Sequence, residues 1–289
     1  MANLKDIRNR ISSVGSTMQI TSAMKLVSAA KLKRATDNIV QLRPYADKLR
    51  ELLQNVSATL ENEVGGSLTE EREVNKVLLV VINSNRGLCG GYNSSIIKKV
   101  NALLAEDLAG KEVEFLTIGK KANDFLSKSQ VIYKNASSIW DNINFADIAD
   151  IAEDLVAKFE DGTYDQIRIV YNQFHNAAVQ IVQNEQFLPV VLDKNEENKS
   201  NVELDYIFNP SKEEILTDLI PQTLKTQLFK AVLDANASEH GARMTAMHSA
   251  TDNASELQKT LKIQYNKARQ AAITNEILEI VGGAEALNA

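Results

Sequence analysis

From Leu4, steps of three and four residues land in turn on Ile7, Ile11, Val14, Met18, Thr21, Lys25, Ser28, Leu32, Ala35, Ile39, Leu42, Ala46, Leu49, Leu53, Val56 and Leu60. Only Thr21, Lys25 and Ser28 on that seam are polar. A 3-4 alternation held this long predicts one helix of a coiled coil over residues 1–60, because two positions per heptad share one side of an α-helix. Asn3 reads as its N-cap and Asp6 as a favourable acid in the first turn. At about 1.5 Å per residue such a helix runs roughly 85 Å. Pro44 lacks an amide hydrogen and predicts a kink, not an end.

The far end mirrors this pattern. After Asn209-Pro210, Ser211 and Glu214 form a capping box that opens a second helix over residues 211–289, with a bend at Pro221. That helix would reach on the order of 110 Å. Its seam passes through Met247, Ala250, Ala254, Leu257, Leu261, Gln264, Ala268, Ala271, Asn275 and Leu278. The alanines let two backbones approach closely. Asn236, His240 and Arg243 turn the seam polar, so one regular coil does not run throughout. A helix this long has no core of its own and must lie along something. The first helix is the expected partner, antiparallel because a domain separates the two.

Residues 74–208 follow a different rhythm. Lys76–Ile82 is a short, nearly continuous apolar run, the mark of a strand buried on both faces. Val113–Ile118 and Gln166–Tyr171 read as further strands, with helical patterns at about 94–108 and 145–159 between them. Strand–helix alternation predicts a small α/β domain with a largely parallel, Rossmann-like sheet. Val179–Phe187 is expected to join it antiparallel to Ile167–Tyr171. Residues 61–73 and 188–201 read as loops.

Composition changes this picture little. The net charge of −6 gives no reason to expect nucleic-acid binding. The charge is uneven, however. Residues 1–60 hold ten Lys or Arg (Lys5, Arg8, Arg10, Lys25, Lys31, Lys33, Arg34, Arg43, Lys48, Arg50) against four acids (Asp6, Asp37, Asp47, Glu51), which suggests an acidic partner surface. One cysteine, Cys89, allows no internal disulfide and points to a reducing compartment. No basic segment followed by an apolar one opens the chain, so no signal peptide is expected. No run approaches the roughly 18 apolar residues that a membrane-spanning helix needs.

Candidate chemistry is sparse. Arg86-Gly87-Leu88-Cys89-Gly90-Gly91-Tyr92-Asn93 sits between a strand and a helix, where a phosphate loop would lie. Its spacing is neither GxGxxG nor GxxxxGK[ST], and the competing reading is a tight turn whose glycines let backbone pack closely. Cys89 has no Asp, Glu or His beside it to activate a thiolate, which favours a structural role. His240 and His248 are eight residues apart, twice the spacing of a helical zinc pair, so no metal or other cofactor is expected. Ile20, Ala23, Met24, Leu26, Val27, Ala29 and Ala30 place apolar groups on several faces at once, followed directly by Lys31, Lys33 and Arg34. Either this is a core helix with a solvated basic patch, or it enters a sleeve made by other subunits with a basic collar outside. Ile273, Ile277, Leu278, Ile280, Val281 and Leu287 spread over several faces in the same way.

Three separated motifs resemble the gamma subunit of F-type ATP synthases. They are Ile20–Leu32, the Arg86–Asn93 run, and the stretch from Ala237-Ser238-Glu239-His240 through Ala250-Thr251-Asp252-Asn253-Ala254 and Tyr265–Thr274 to Gly283-Ala284. They occur in family order across the whole chain. Asn85 departs from the family's usual aspartate, and Asn209 from an acid that many relatives carry. The resemblance implies an antiparallel coiled coil inside a ring of alpha and beta subunits. It also implies a central domain that meets an epsilon subunit and a membrane c-ring, with one copy per complex. It implies a non-catalytic rotor shaft coupling ion-driven rotation to ATP synthesis, held peripherally at the cytoplasmic face of a bacterial plasma (inner) membrane. Met24, Lys25, Arg269 and Gln270 match positions used against acidic loops of beta. Tyr206 and Phe208 fall where the family's foot meets the c-ring. The competing functions are a nucleotide-using α/β enzyme and an unrelated coiled-coil scaffold.

Overall fold

The computed structural model describes residues 4–58, 67–70, 72–190 and 212–288. The Asn3 cap, the capping box at Ser211, Asn209, and both Tyr206 and Phe208 lie outside the described residues. In chain order the elements are α1 (Leu4–Ala58), β1 (Lys76–Ile82), α2 (Tyr92–Ala105), β2 (Glu112–Ile118), α3 (Lys120–Leu126), β3 (Val131–Asn135), α4 (Phe145–Glu160), β4 (Gln166–Phe174), β5 (Gln180–Leu188) and α5 (Lys212–Asn288). Helical structure continues through Pro44 in α1 and Pro221 in α5. The chain forms two compact units, Met1–Ser28 with Arg243–Ala289, and Ala29–Ala242.

In the larger unit the five strands run in the order β3-β2-β1-β4-β5, parallel except for β5, which is antiparallel to β4. The apolar run Val77–Ile82 explains why β1 is central, for all six side chains are fully buried. Leu78, Val80 and Ile82 face one way, with Leu116, Ile118, Ile167 and Ile169, and meet α4 and the first part of α5. Val77, Leu79 and Val81 face the other way, with Phe115 and Val170, and meet α2 and α3. Each such side chain contributes about 1.5–3 kcal/mol when fully buried. Helix α4 presents Ile148, Ile151, Ala152, Leu155 and Phe159 on one stripe. It begins where the Asn144 side-chain oxygen accepts the Asp147 backbone N–H at 2.8 Å.

The path of α5 decides what this sheet can do. Ile220, Leu224, Leu228 and Ala235 belong to the cluster on the α4 face, whereas Ala242 belongs to the cluster on the α2–α3 face. Helix α5 therefore crosses the carboxyl ends of the strands. Tyr92 Oη donates to Ala235 O at 3.1 Å, Ser238 Oγ donates to Asn172 O at 2.9 Å, and Asn172 Nδ2 donates to Tyr92 O at 3.1 Å. Gly241 allows the close approach, since a Cβ there would stand 3.2 Å from Ala177 Cα.

In the smaller unit the two helices meet antiparallel. Thr21 Oγ1 and Thr251 Oγ1 are 2.8 Å apart, and Lys25 Nζ and His248 Nδ1 are 3.3 Å apart. A Cβ on Gly15 would meet Gln258 Nε2. Each step forward along α1 is matched by one step back along α5. Among described side chains, every seam position read from Leu4 to Leu53 is buried or half-buried, the polar Thr21, Lys25 and Ser28 included. Across these contacts the two helices form the antiparallel coiled coil expected from the sequence.

Candidate interaction site on the helical pair

Met24 and Lys25 lie on α1 and are both half-buried. Lys25 is held by its neighbour on α5, and His248 Nδ1 also stands 3.3 Å from Asp252 Oδ2. With its proton on Nε2 the ring accepts from Lys25 at Nδ1; with a proton on Nδ1 it donates to Asp252 instead. Around this polar set, Ile20, Leu26 and Val27 are 60%, 68% and 58% exposed, so large apolar groups stand off the seam with nothing over them. That is unusual for a helix whose seam is already satisfied.

Arg269 and Gln270 are exposed on α5. The register puts Leu4, where the described part of α1 begins, level with about Arg269. Among the described side chains beyond it only Ala272 is half-buried, and Ile273, Ile277, Leu278, Ile280 and Val281 are all exposed. The structure thus does not bring the four residues into one cluster. At about 1.5 Å per residue, Arg269 lies roughly 30 Å along α5 from His248, the partner of Lys25. The arrangement is two levels of one rod, each carrying exposed apolar side chains beside cations.

The Arg86–Asn93 loop is closed upon itself. Ser84 Oγ donates to Arg86 O at 2.6 Å and lies 2.8 Å from Asn93 Oδ1, while Asn93 Nδ2 donates to Cys89 Sγ at 3.2 Å. Cys89 is buried inside this turn, as a structural thiol would be. The glycines do not all serve close packing: a Cβ on Gly87 would meet nothing within 4 Å, and one on Gly91 only the Ser94 hydroxyl at 3.9 Å. The turn instead depends on left-handed backbone at Leu88 (φ 62) and Gly90 (φ 59). Asn85 donates its amide to Ser137 O at 3.0 Å and accepts from Lys120 N at 2.9 Å. A carboxylate could accept there but not donate. In doubly wound sheets a ligand lies outside the carboxyl ends of the strands, at the point where strand order reverses. Here that crevice, between β1 and β4, is where Tyr92, Asn172 and Ser238 hold α5.

Among the described residues there is no group of three or more metal-type ligands and no helix long and apolar enough to cross a membrane. A pair of helices with uncovered apolar groups, and a doubly wound sheet whose ligand crevice is stopped by α5, are the features of a subunit that works against partners. The profile of the family described as ATP synthase matches residues 3–287. The ATP synthase gamma chain of Flavobacterium johnsoniae is 64% identical over 288 residues and that of Flavobacterium psychrophilum 62% over 287, with at least 99% of each chain covered. The fold matches a chain of the Euglena gracilis mitochondrial ATP synthase (OSCP/F1/c-ring, rotational state 3) with a TM-score of 0.72 at 24% identity, covering 98% of this chain and 94% of that one. This chain belongs to the gamma-chain family of F-type ATP synthases, the non-catalytic rotor subunits of the central stalk.

Proposed function

We propose that this rotor subunit couples ion-driven rotation of a membrane c-ring to ATP synthesis at the beta subunits, one copy turning inside each head of alpha and beta subunits. The observation that carries this reading is the set of apolar side chains left exposed around an already closed seam, Ile20, Leu26 and Val27 on α1 and Ile273, Ile277 and Ile280 on α5. In a sleeve of partner subunits these groups are covered in every orientation, so turning does not expose them to water. Different faces of the rod offer different side chains, and each orientation stabilises a different conformation of the surrounding subunits. Met24 and Lys25 at one level, and Arg269 and Gln270 at the other, would meet acidic loops of beta. An epsilon subunit is the expected companion of the α/β domain, and Tyr206 and Phe208 are the residues assigned to the c-ring. The subunit then works peripherally, at the cytoplasmic face of a bacterial inner membrane.

The test is Met24→Lys in the complete complex reconstituted in vesicles. ATP hydrolysis should persist while ion pumping per ATP falls, because a second cation beside Lys25 alters contact with the acidic loops without touching a buried seam residue. An unchanged pumping ratio would sink the assignment of Met24.

A further inference from the structure

Arg43 joins three elements of the larger unit. Its Nη2 stands 3.5 Å from Asp234 Oδ1 on α5, and the same nitrogen donates to Phe174 O, at the carboxyl end of β4, at 3.2 Å. The Asp234 side chain has no exposed surface, whereas that of Arg43 is 42% exposed. Neither Asp234 side-chain oxygen has a partner in good hydrogen-bond geometry, and 3.5 Å is long for such a bond; Lys230 and the Phe174 backbone add weaker favourable interactions. A fully buried carboxylate left this way is costly, so stability alone gives little reason for it.

The surroundings show what it can do. At this level α1 and α5 touch through Ala35, Ile39, Leu233 and Ala237, with Phe174 and Phe229 beside them. Contacts among small apolar side chains resist separation but are non-directional, so they offer little resistance to one helix rolling or sliding on the other. A charged, directional contact fixes the angle as well as the distance. Helix α5 has further polar ties to the sheet, at Ala235 and Ser238. Helix α1 meets the sheet's apolar cluster through Leu53, and its exposed Asp47 and Tyr45 touch Lys230 and Gln222 of α5. Arg43 is the α1 side chain that donates to a strand carbonyl and to a buried carboxylate at once.

We propose that Arg43 and Asp234 form a torsion key, a charged contact that fixes α1 in rotation against α5 and the end of β4, so that twist applied to the α/β domain reaches both helices of the shaft. Arg43 is a positioning residue in this role. It touches no nucleotide and acts through the alignment of the helices. The idea rests on the rotor reading above and deepens it.

The test uses the complete complex in vesicles, carrying either the double variant Arg43→Gln/Asp234→Asn or Arg43→Lys. The double variant removes both charges at nearly constant shape and leaves no orphaned ion, so folding and assembly should survive. ATP hydrolysis per assembled complex should stay at the level of the original, while ion pumping per ATP falls about twofold or more, as loss of a modest coupling energy requires. Arg43→Lys, which keeps the charge, should restore part of the ratio. A wild-type ratio in the double variant overturns the key, and so does a loss of pumping that only follows the amount of chain incorporated. Met24→Lys separates the two ideas. If it uncouples and the double variant does not, the assignment of Met24 stands and the key falls; if the double variant uncouples and Met24→Lys does not, the key stands and the assignment of Met24 falls.

Discussion

Gly119 stands between β2 and α3 with φ 131 and ψ 130, backbone that is almost closed to any residue with a side chain. A Cβ there would sit 2.1 Å from Asn83 O, at the end of β1. The two chain segments are fixed to each other, since Asn83 N donates to Ile118 O at 2.7 Å, so neither can retreat. Gly119→Ala is expected to cost roughly 2–4 kcal/mol from strain and overpacking together. A drop in the urea midpoint, followed by the fluorescence of Trp140, checks this. None of it is legible in the sequence, where Gly119 is one glycine among twelve, because the clash comes from a segment 36 residues away. Glu114 gives a second residue-scale test. Its carboxylate is 2.7 Å from Lys76 Nζ and accepts from Tyr164 Oη at 2.6 Å, and these contacts hold its pKa below the usual glutamate value, Lys76 first. A lowered folded pKa means the stabilisation is present above the unfolded value and is lost as pH falls through the folded one. Glu114→Gln should therefore be less stable than the original chain near pH 7. The gap should narrow as both are titrated down through the carboxylate range. Urea midpoints that stay equally far apart at both ends would contradict it.

At the scale of elements, the patterns that spoke clearly were those set by periodicity. The seam of α1 was legible from Leu4 to Leu53 because heptad spacing and burial are the same geometric fact, and even its three polar positions turn inward. The strands β1, β2, β4 and β5 were legible because apolar runs need both faces covered, and β5 pairs antiparallel to β4 as expected. Two elements were not. Val131-Ile132-Tyr133-Lys134-Asn135 is an edge strand with Val131 63% exposed and a register shift opposite Phe115 and Leu116, so it shows neither alternation nor a buried run. Helix α3 is only seven residues, too short for a helical period to declare itself. The seating of α5 across the sheet was hidden for another reason. Tyr92 and Ala235 are 143 residues apart, and no local pattern states that a helix will fill a crevice. The candidate site was legible in part: the exposed apolar groups around Met24 follow from composition on several faces, but the distance between the Lys25 level and the Arg269 level follows only from the register of the coil.

At the scale of the whole molecule, the two compact units rest on different kinds of core. The larger one encloses a five-stranded sheet between layers of Leu, Ile, Val and Phe, with Tyr164 and Tyr171 fully buried. Among the described residues of the smaller one the buried apolar side chains are Ile7, Met247, Ala254 and Leu261, accompanied by Thr21, Ser28 and Arg243. With so little apolar area removed from water per helical residue, the paired helices of the smaller unit should open at a lower free energy than the sheet domain. The chain contains one tryptophan, Trp140, half-buried with its Nε1 donating to Ile118 O at 3.3 Å, and therefore reporting on the larger unit. Heating the isolated chain should then give two unlike curves. Far-UV circular dichroism, which counts all helix, should begin to fall before the Trp140 fluorescence moves at all. Coincident curves would mean that the helices melt only with the sheet, as one cooperative unit, and would contradict the expectation. Separate curves would mean that in the isolated chain the rod is the weaker part. On the proposed function, its stiffness would then come from the partner subunits proposed to enclose it, which is the condition under which apolar groups on every side of a helix favour the working state.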